Sequence, residues 1–179
     1  MFVPKAHTPF QWDGQIPKDE ALRRVNLVRD NTHARAVRIT WHDPTTSTIE
    51  AALSRGGRDM ACVIEHAWRH GARFDAWSDK FSARAWDSAC KECGVDLDSL
   101  AQKTYQPGDV LPWSHISTGV STSFLQAEYD RSRTGTTTPD CTMGPCSNCG
   151  VCPPLGTKNV LATTRVAGCN APDTRGDVQ

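Results

Sequence analysis

The run PDCTMGPCSNCGVCPP, from Pro139 to Pro154, sets Cys141, Cys146, Cys149 and Cys152 in a C-x4-C-x2-C-x2-C spacing. Two thiolates separated by two residues can converge on one centre, because the turn between them aims both sulfurs inward and frees backbone N–H groups toward them. Gly144, Pro145, Gly150 and Pro153 supply the turn geometry for such a wrap. The pattern is that of a metal site. Structural zinc usually joins two C-x2-C knuckles through a longer spacer, which this run lacks. The overlapping spacings, and the proline after the last cysteine, echo the cluster-binding runs of ferredoxins without completing that pattern. Spacing therefore favours a [4Fe–4S] cluster, with zinc (Zn) as the alternative.

Four cysteines lie elsewhere. Cys62 stands alone in a helical pattern and reads as a small buried hydrophobe. Cys90 and Cys93 form a C-x-x-C pair near a helix end, where two small residues are the simplest reading. Cys169 reads as a free thiol in the tail. Structural disulfides are not expected in a chain read as cytoplasmic. His7, His42, His66, His70 and His115 show no zincin-type spacing, so they announce no catalytic metal site.

These residues need a scaffold, and 179 residues suffice for one core. Twenty basic residues balance twenty acidic ones, so no net field draws the chain to nucleic acid or to an anionic membrane. No apolar run approaches the roughly 20 residues that cross a bilayer, and Met1–Gly14 has no signal-peptide core. The expectation is a soluble, cytoplasmic protein with no membrane partner.

Pro17, Asp19 and Glu20 predict a helix start, and Leu22, Val25 and Val28 continue it to about Asn31, one face set against a sheet. Val37, Ile39 and Trp41 alternate with polar residues and predict a half-buried strand ending at Asp43-Pro44. Ser47 and Glu50 form a capping-box pattern for a short helix stopped at Gly56-Gly57. Met60, Val63, Ile64, Ala67 and Trp68 trace a helical stripe closed by Gly71. Trp77, Phe81, Ala85 and Ala89 trace another through Cys93, closed by Gly94. A proline- and glycine-broken loop follows, then a last helix through Phe124, Leu125 and Tyr129 to about Gly135. Beyond Thr136 little could pack without a metal or a partner, and the end of the chain reads as a flexible tail.

Several stretches, in order, carry a family resemblance: FVPKAHTPFQW, WHDPTTSTIEAALSRGGRDM, GARFDAW, LPWSHISTGV, SFLQAEY and DC…C-x-x-CGVC. Together they resemble the C-terminal part of the radical S-adenosylmethionine (radical SAM) proteins that carry an N-terminal cobalamin-binding-like domain. In such proteins a partial (β/α) barrel holds a [4Fe–4S] cluster on C-x3-C-x2-C, where bound S-adenosylmethionine is cleaved to a 5′-deoxyadenosyl radical. No C-x3-C-x2-C occurs in this sequence. The resemblance implies a mainly helical α/β fragment in three parts. Residues 1–36 would be the last strand and helix elements of the barrel, with Lys5, His7 and Thr8 near its mouth. Residues 37–139 would be a mainly helical extension with one strand, and residues 140–179 a cysteine-rich metal-binding segment and tail. One departure is Gly57, where the family carries an acid.

Two functions follow. The first is the C-terminal portion of a radical SAM iron–sulfur enzyme. It would not be catalytic alone, would need S-adenosylmethionine only in the complete enzyme, and would have the N-terminal radical-generating half as its partner, with RNA as a candidate substrate. The second is a non-enzymatic zinc knuckle that contacts RNA or a protein through Arg131, Arg133, Lys158 and Arg165; arginine outnumbers lysine fourteen to six.

Overall fold

A computed structural model describes residues 2–157. Their regular structure is helical: α1 Lys18–Asp30, α2 Pro44–Arg55, α3 Met60–Arg69, α4 Ala83–Cys93, α5 Leu97–Gln102, α6 Thr122–Thr134 and a 3-10 turn, Pro153–Leu155. The mainly helical expectation holds. No strand occurs among the described residues, so none of the expected barrel or extension strands is present there. Residues 2–13 form turns instead, one closed by the Gln11 N–H on the Thr8 carbonyl at 3.0 Å.

The alternation at Val37–Trp41 does not make a strand, and its apolar members are open to solvent, Val37 at 56% and Trp41 at 45%. A strand needs a neighbour for its backbone N–H and C=O groups. With none beside it, the period-two pattern has nothing to pair with. Likewise α1 finds no sheet; it lies on α2, with Ala21 buried and Leu22 and Val28 exposed.

The cap of α2 also differs from expectation. Asp43 accepts from the Thr45 and Thr46 N–H groups at 2.8 and 3.2 Å, and Pro44 occupies the first turn. Proline there is preset for helix and lacks only an N–H that would go unpaired, so the helix starts earlier than a Ser47 cap would allow. Ser47 is buried inside the helix. The start of α4 moves the other way: Ser82 caps it, and the segment around the exposed Trp77 forms turns. Gly94 and Gly135 close α4 and α6 in left-handed geometry, as their positions predict.

Two apolar clusters result. In the first, Met60, Val63 and Ala67 of α3 meet Ala85, Trp86 and Ala89 of α4, all but Trp86 being members of the stripes the sequence shows. Ile64 and Trp68 lie outside it and are exposed. The second gathers Trp12, Tyr105, Leu111, Trp113 and Leu125, mostly from loops. Its backbone frame ties residues 12–15 to residues 101–105: the Tyr105 N–H reaches the Trp12 carbonyl and the Gln15 N–H the Ala101 carbonyl, both at 2.8 Å. Gly14 permits this approach, since a Cβ there would lie 2.1 Å from the Gln102 carbonyl oxygen.

Arg55, fully buried at the end of α2, joins the pieces. Its guanidinium donates to the Gln11 carbonyl at 2.9 Å and the Lys103 carbonyl at 2.6 Å, and lies over the rings of Tyr105 and Trp113. Burial pulls its pKa below the ordinary arginine value, opposed by Tyr105 and then Asp13. Arg55→Ala would orphan two carbonyls and open a cavity. We expect a loss of about 3 kcal/mol or more in chemical denaturation.

On the surface of α1, Glu20 accepts from Arg23 at 2.6 and 2.9 Å and from Arg24 at 2.6 Å. These bonds hold its pKa at about 2 against an ordinary 4.5. A depressed acid pKa contributes stability above the unfolded value and loses it as pH falls through the folded one. The Glu20 carboxyl resonance should therefore titrate near 2 by NMR, and in Arg24→Ala it should move toward 4.5.

Candidate metal centre

The four cysteines of the sequence motif lie on one turn-rich segment that follows α6. Asp140 opens it, accepting from the Thr142 backbone N–H at 2.8 Å and from its hydroxyl at 2.7 Å. These two bonds lower the Asp140 pKa. The Cys146 sulfur accepts from the Asn148 N–H at 3.4 Å, the kind of donor a knuckle offers a thiolate. Asn148 and Gly150 take positive φ, +56° and +97°, folding the chain between Cys146 and Cys152. The carbonyl of Cys152 then accepts from Leu155 and Thr157 N–H groups at 3.2 and 3.1 Å. Cys146 is exposed, whereas Cys141, Cys149 and Cys152 are half-buried.

This segment is docked. The Ser121 N–H donates to the Cys149 carbonyl at 2.8 Å, while the Ser121 side chain caps α6 on the Phe124 N–H at 3.2 Å. Gly150 sits so close that a Cβ would lie 3.2 Å from the Gly119 carbonyl oxygen.

Beside the docking point is a cavity of about 390 Å³ lined by His7, Gln11, Trp113, Ser117, Thr118 and Val120 among others. Gln11 holds it together: its side-chain oxygen accepts from the Trp113 indole at 2.8 Å and from the His7 N–H at 3.1 Å. His7 takes a left-handed backbone, φ +56°. Tyr129 of α6 donates to Asp13 at 2.8 Å. Of the other residues expected near a barrel mouth, Lys5 pairs with Glu50 and the Thr8 hydroxyl donates to the Lys5 carbonyl at 2.7 Å.

A second concentration of ligand-type side chains lies on α3 and α4. Cys62 and Cys93 are joined by a disulfide across the two helices, with Cα atoms 6.1 Å apart. This corrects three expectations: Cys62 is an exposed, bonded residue rather than a buried hydrophobe, Cys93 is not part of a local pair with Cys90, and the chain does hold a disulfide. Facing helices bring together what sequence distance conceals. Cys90 turns to the α2 side, where burial pushes its thiol pKa up. Glu92 bridges two histidines, with Oε2 2.5 Å from His66 Nδ1 and Oε1 2.9 Å from His70 Nε2. Those contacts lower the Glu92 pKa.

Among the described residues, three ligand atoms fall within 4.8 Å of one another in two groups, Cys62/His66/Cys93 and His66/His70/Glu92. Neither includes a cysteine of the 141–152 run. The missed signal is Cys62, His66 and His70 at four-residue intervals, one face of a helix. Cys169, Lys158 and Arg165 lie outside the described residues. No described helix is long and apolar enough to cross a membrane.

A side chain at Gly150 would oppose both its positive φ and the Gly119 carbonyl. Gly150→Val should therefore accelerate hydrogen exchange of the Ser121 amide about tenfold or more, with exchange in the α3–α4 helices unchanged. No family model, curated protein or solved structure matches this chain.

Proposed function

We propose that this chain is the C-terminal accessory portion of a radical SAM iron–sulfur enzyme, with Cys141, Cys146, Cys149 and Cys152 holding a [4Fe–4S] cluster beside the His7–Trp113 cavity. One observation carries the reading: stretches that bear the resemblance, far apart in sequence, meet in one body. Gln11 and Trp12 come from the first, Arg55 from the second, Trp113 from the fourth and Tyr129 from the fifth, and they are linked through Arg55, Gln11 and Asp13. The cysteine run is docked onto the same body through Ser121.

In this reading the radical is generated elsewhere, because the sequence has no C-x3-C-x2-C. The accessory cluster would form part of the wall on the substrate side. The exposed apolar side chains Leu22, Leu27, Val28 and Trp41 would be covered by the radical-generating half. His7 and Gln11 would then face a substrate, with the Gln11 side chain held by the Trp113 indole and the His7 backbone N–H.

The zinc-knuckle reading has less support. Arg131 is committed to Glu128 and Thr138, and Arg133 to Asp13 and Tyr129, so both guanidinium groups are engaged within the chain.

Anaerobic reconstitution decides between the two metals. The expected product is brown, with about four irons and four sulfides per chain, and loses its colour in Cys146→Ala and Cys149→Ala. A colourless protein holding one zinc ion that the same substitutions remove would overturn the cluster assignment.

A further inference from the structure

The cluster on α3 and α4 plays no part in the function proposed above, yet it has the composition of a metal site. Cys62 and His66 lie four residues apart on α3, and His70, which caps the helix, continues the spacing. Cys93 ends α4, and the close packing of α3 on α4 brings it across to Cys62. The sulfurs of Cys62 and Cys93 and one His66 nitrogen lie within 4.8 Å of one another.

We propose that, with the disulfide reduced, Cys62, His66 and Cys93 bind a divalent transition-metal ion, zinc in the first instance. Two zinc–sulfur bonds of about 2.3 Å at a tetrahedral angle hold their sulfurs about 3.8 Å apart. Side-chain rotation reaches that separation without moving the helices. Two thiolates and an imidazole suit zinc and exclude magnesium or calcium, which take oxygen ligands.

Glu92 fits the same assignment. Its carboxylate lies 2.5 Å from His66 Nδ1, the arrangement in which an acid fixes the ring and raises its basicity toward a metal. His70, 2.9 Å from the other oxygen, steadies that carboxylate. Glu92 is thus the positioning residue of the site. Access is open, since Cys62 is exposed and His66 half-exposed.

The redox balance is simple. A trialkylphosphine opens the disulfide to two thiols and leaves as its oxide, taking oxygen from water. Metal binding then displaces the two thiol protons. The disulfide form has no thiolate to offer.

The test uses the full chain carrying Cys141→Ser, Cys146→Ser, Cys149→Ser, Cys152→Ser and Cys169→Ser, so that the residues after α6 contribute no thiol. Reduced with phosphine under argon, it is titrated with cobalt(II) and then with competing zinc. Expected are one ion per chain, a sulfur-to-cobalt charge-transfer band, and no band without phosphine. Glu92→Gln should weaken zinc affinity about 10- to 100-fold while the band persists, which loss of packing alone would not produce. Cys62→Ser and His66→Gln should each weaken the affinity further and change the band. Cys93 packs against the α3–α4 core, so the exposed Cys62 carries the test if Cys93→Ser fails to fold. No cobalt uptake by the reduced chain, or a band unchanged in both Cys62→Ser and His66→Gln, overturns the proposal. Neither result bears on the cluster at Cys141–Cys152.

Discussion

The fold depends on one buried cation. Arg55 gives up hydration with no carboxylate in contact, a cost offset by two backbone carbonyls and two aromatic faces. Each partner comes from a loop segment that has little regular structure of its own. The arginine therefore does for residues 11–14 and 103–113 what a sheet would do elsewhere, fixing strand-less chain by satisfying its polar groups. Gln11 extends the frame to Trp113 and His7, and Asp13 extends it to Tyr129 on α6. The cavity wall and the docked cysteine segment both inherit their position from this frame.

Local signals in the sequence suffice where the chain decides its own conformation. Gly94 and Gly135 end helices because they can take positive φ at no cost, and the Met60–Val63–Ala67 stripe is buried as its period requires. They do not suffice where an element needs a partner. The alternation at Val37–Trp41 is a true pattern, but a strand exists only against another strand. The apolar side of α1 is likewise legible, and its Leu22 and Val28 remain exposed. Asp43-Pro44 has the pattern of a strand end and forms a helix cap, because the same pair serves either purpose.

The candidate site divides in the same way. The cysteine run can be read directly, as its ligands are neighbours in sequence and its turn residues lie between them. The Cys62–Cys93 pair cannot, because 31 residues separate the two and only the crossing of α3 and α4 joins them. The roles of Gln11 and Arg55 were equally hidden. Arg55 donates to main-chain carbonyls 44 and 48 positions away, and Gln11 accepts from Trp113, 102 positions on; neither contact leaves a trace in local composition.

Ser121 links the two halves of the molecule with two different atoms. Its hydroxyl starts α6, and its amide holds the cysteine segment. The second bond belongs to the peptide unit, which every residue except proline possesses. Drift at this position can erode the cap while leaving the attachment whole, so the serine can vary among kindred chains even where the attachment is kept.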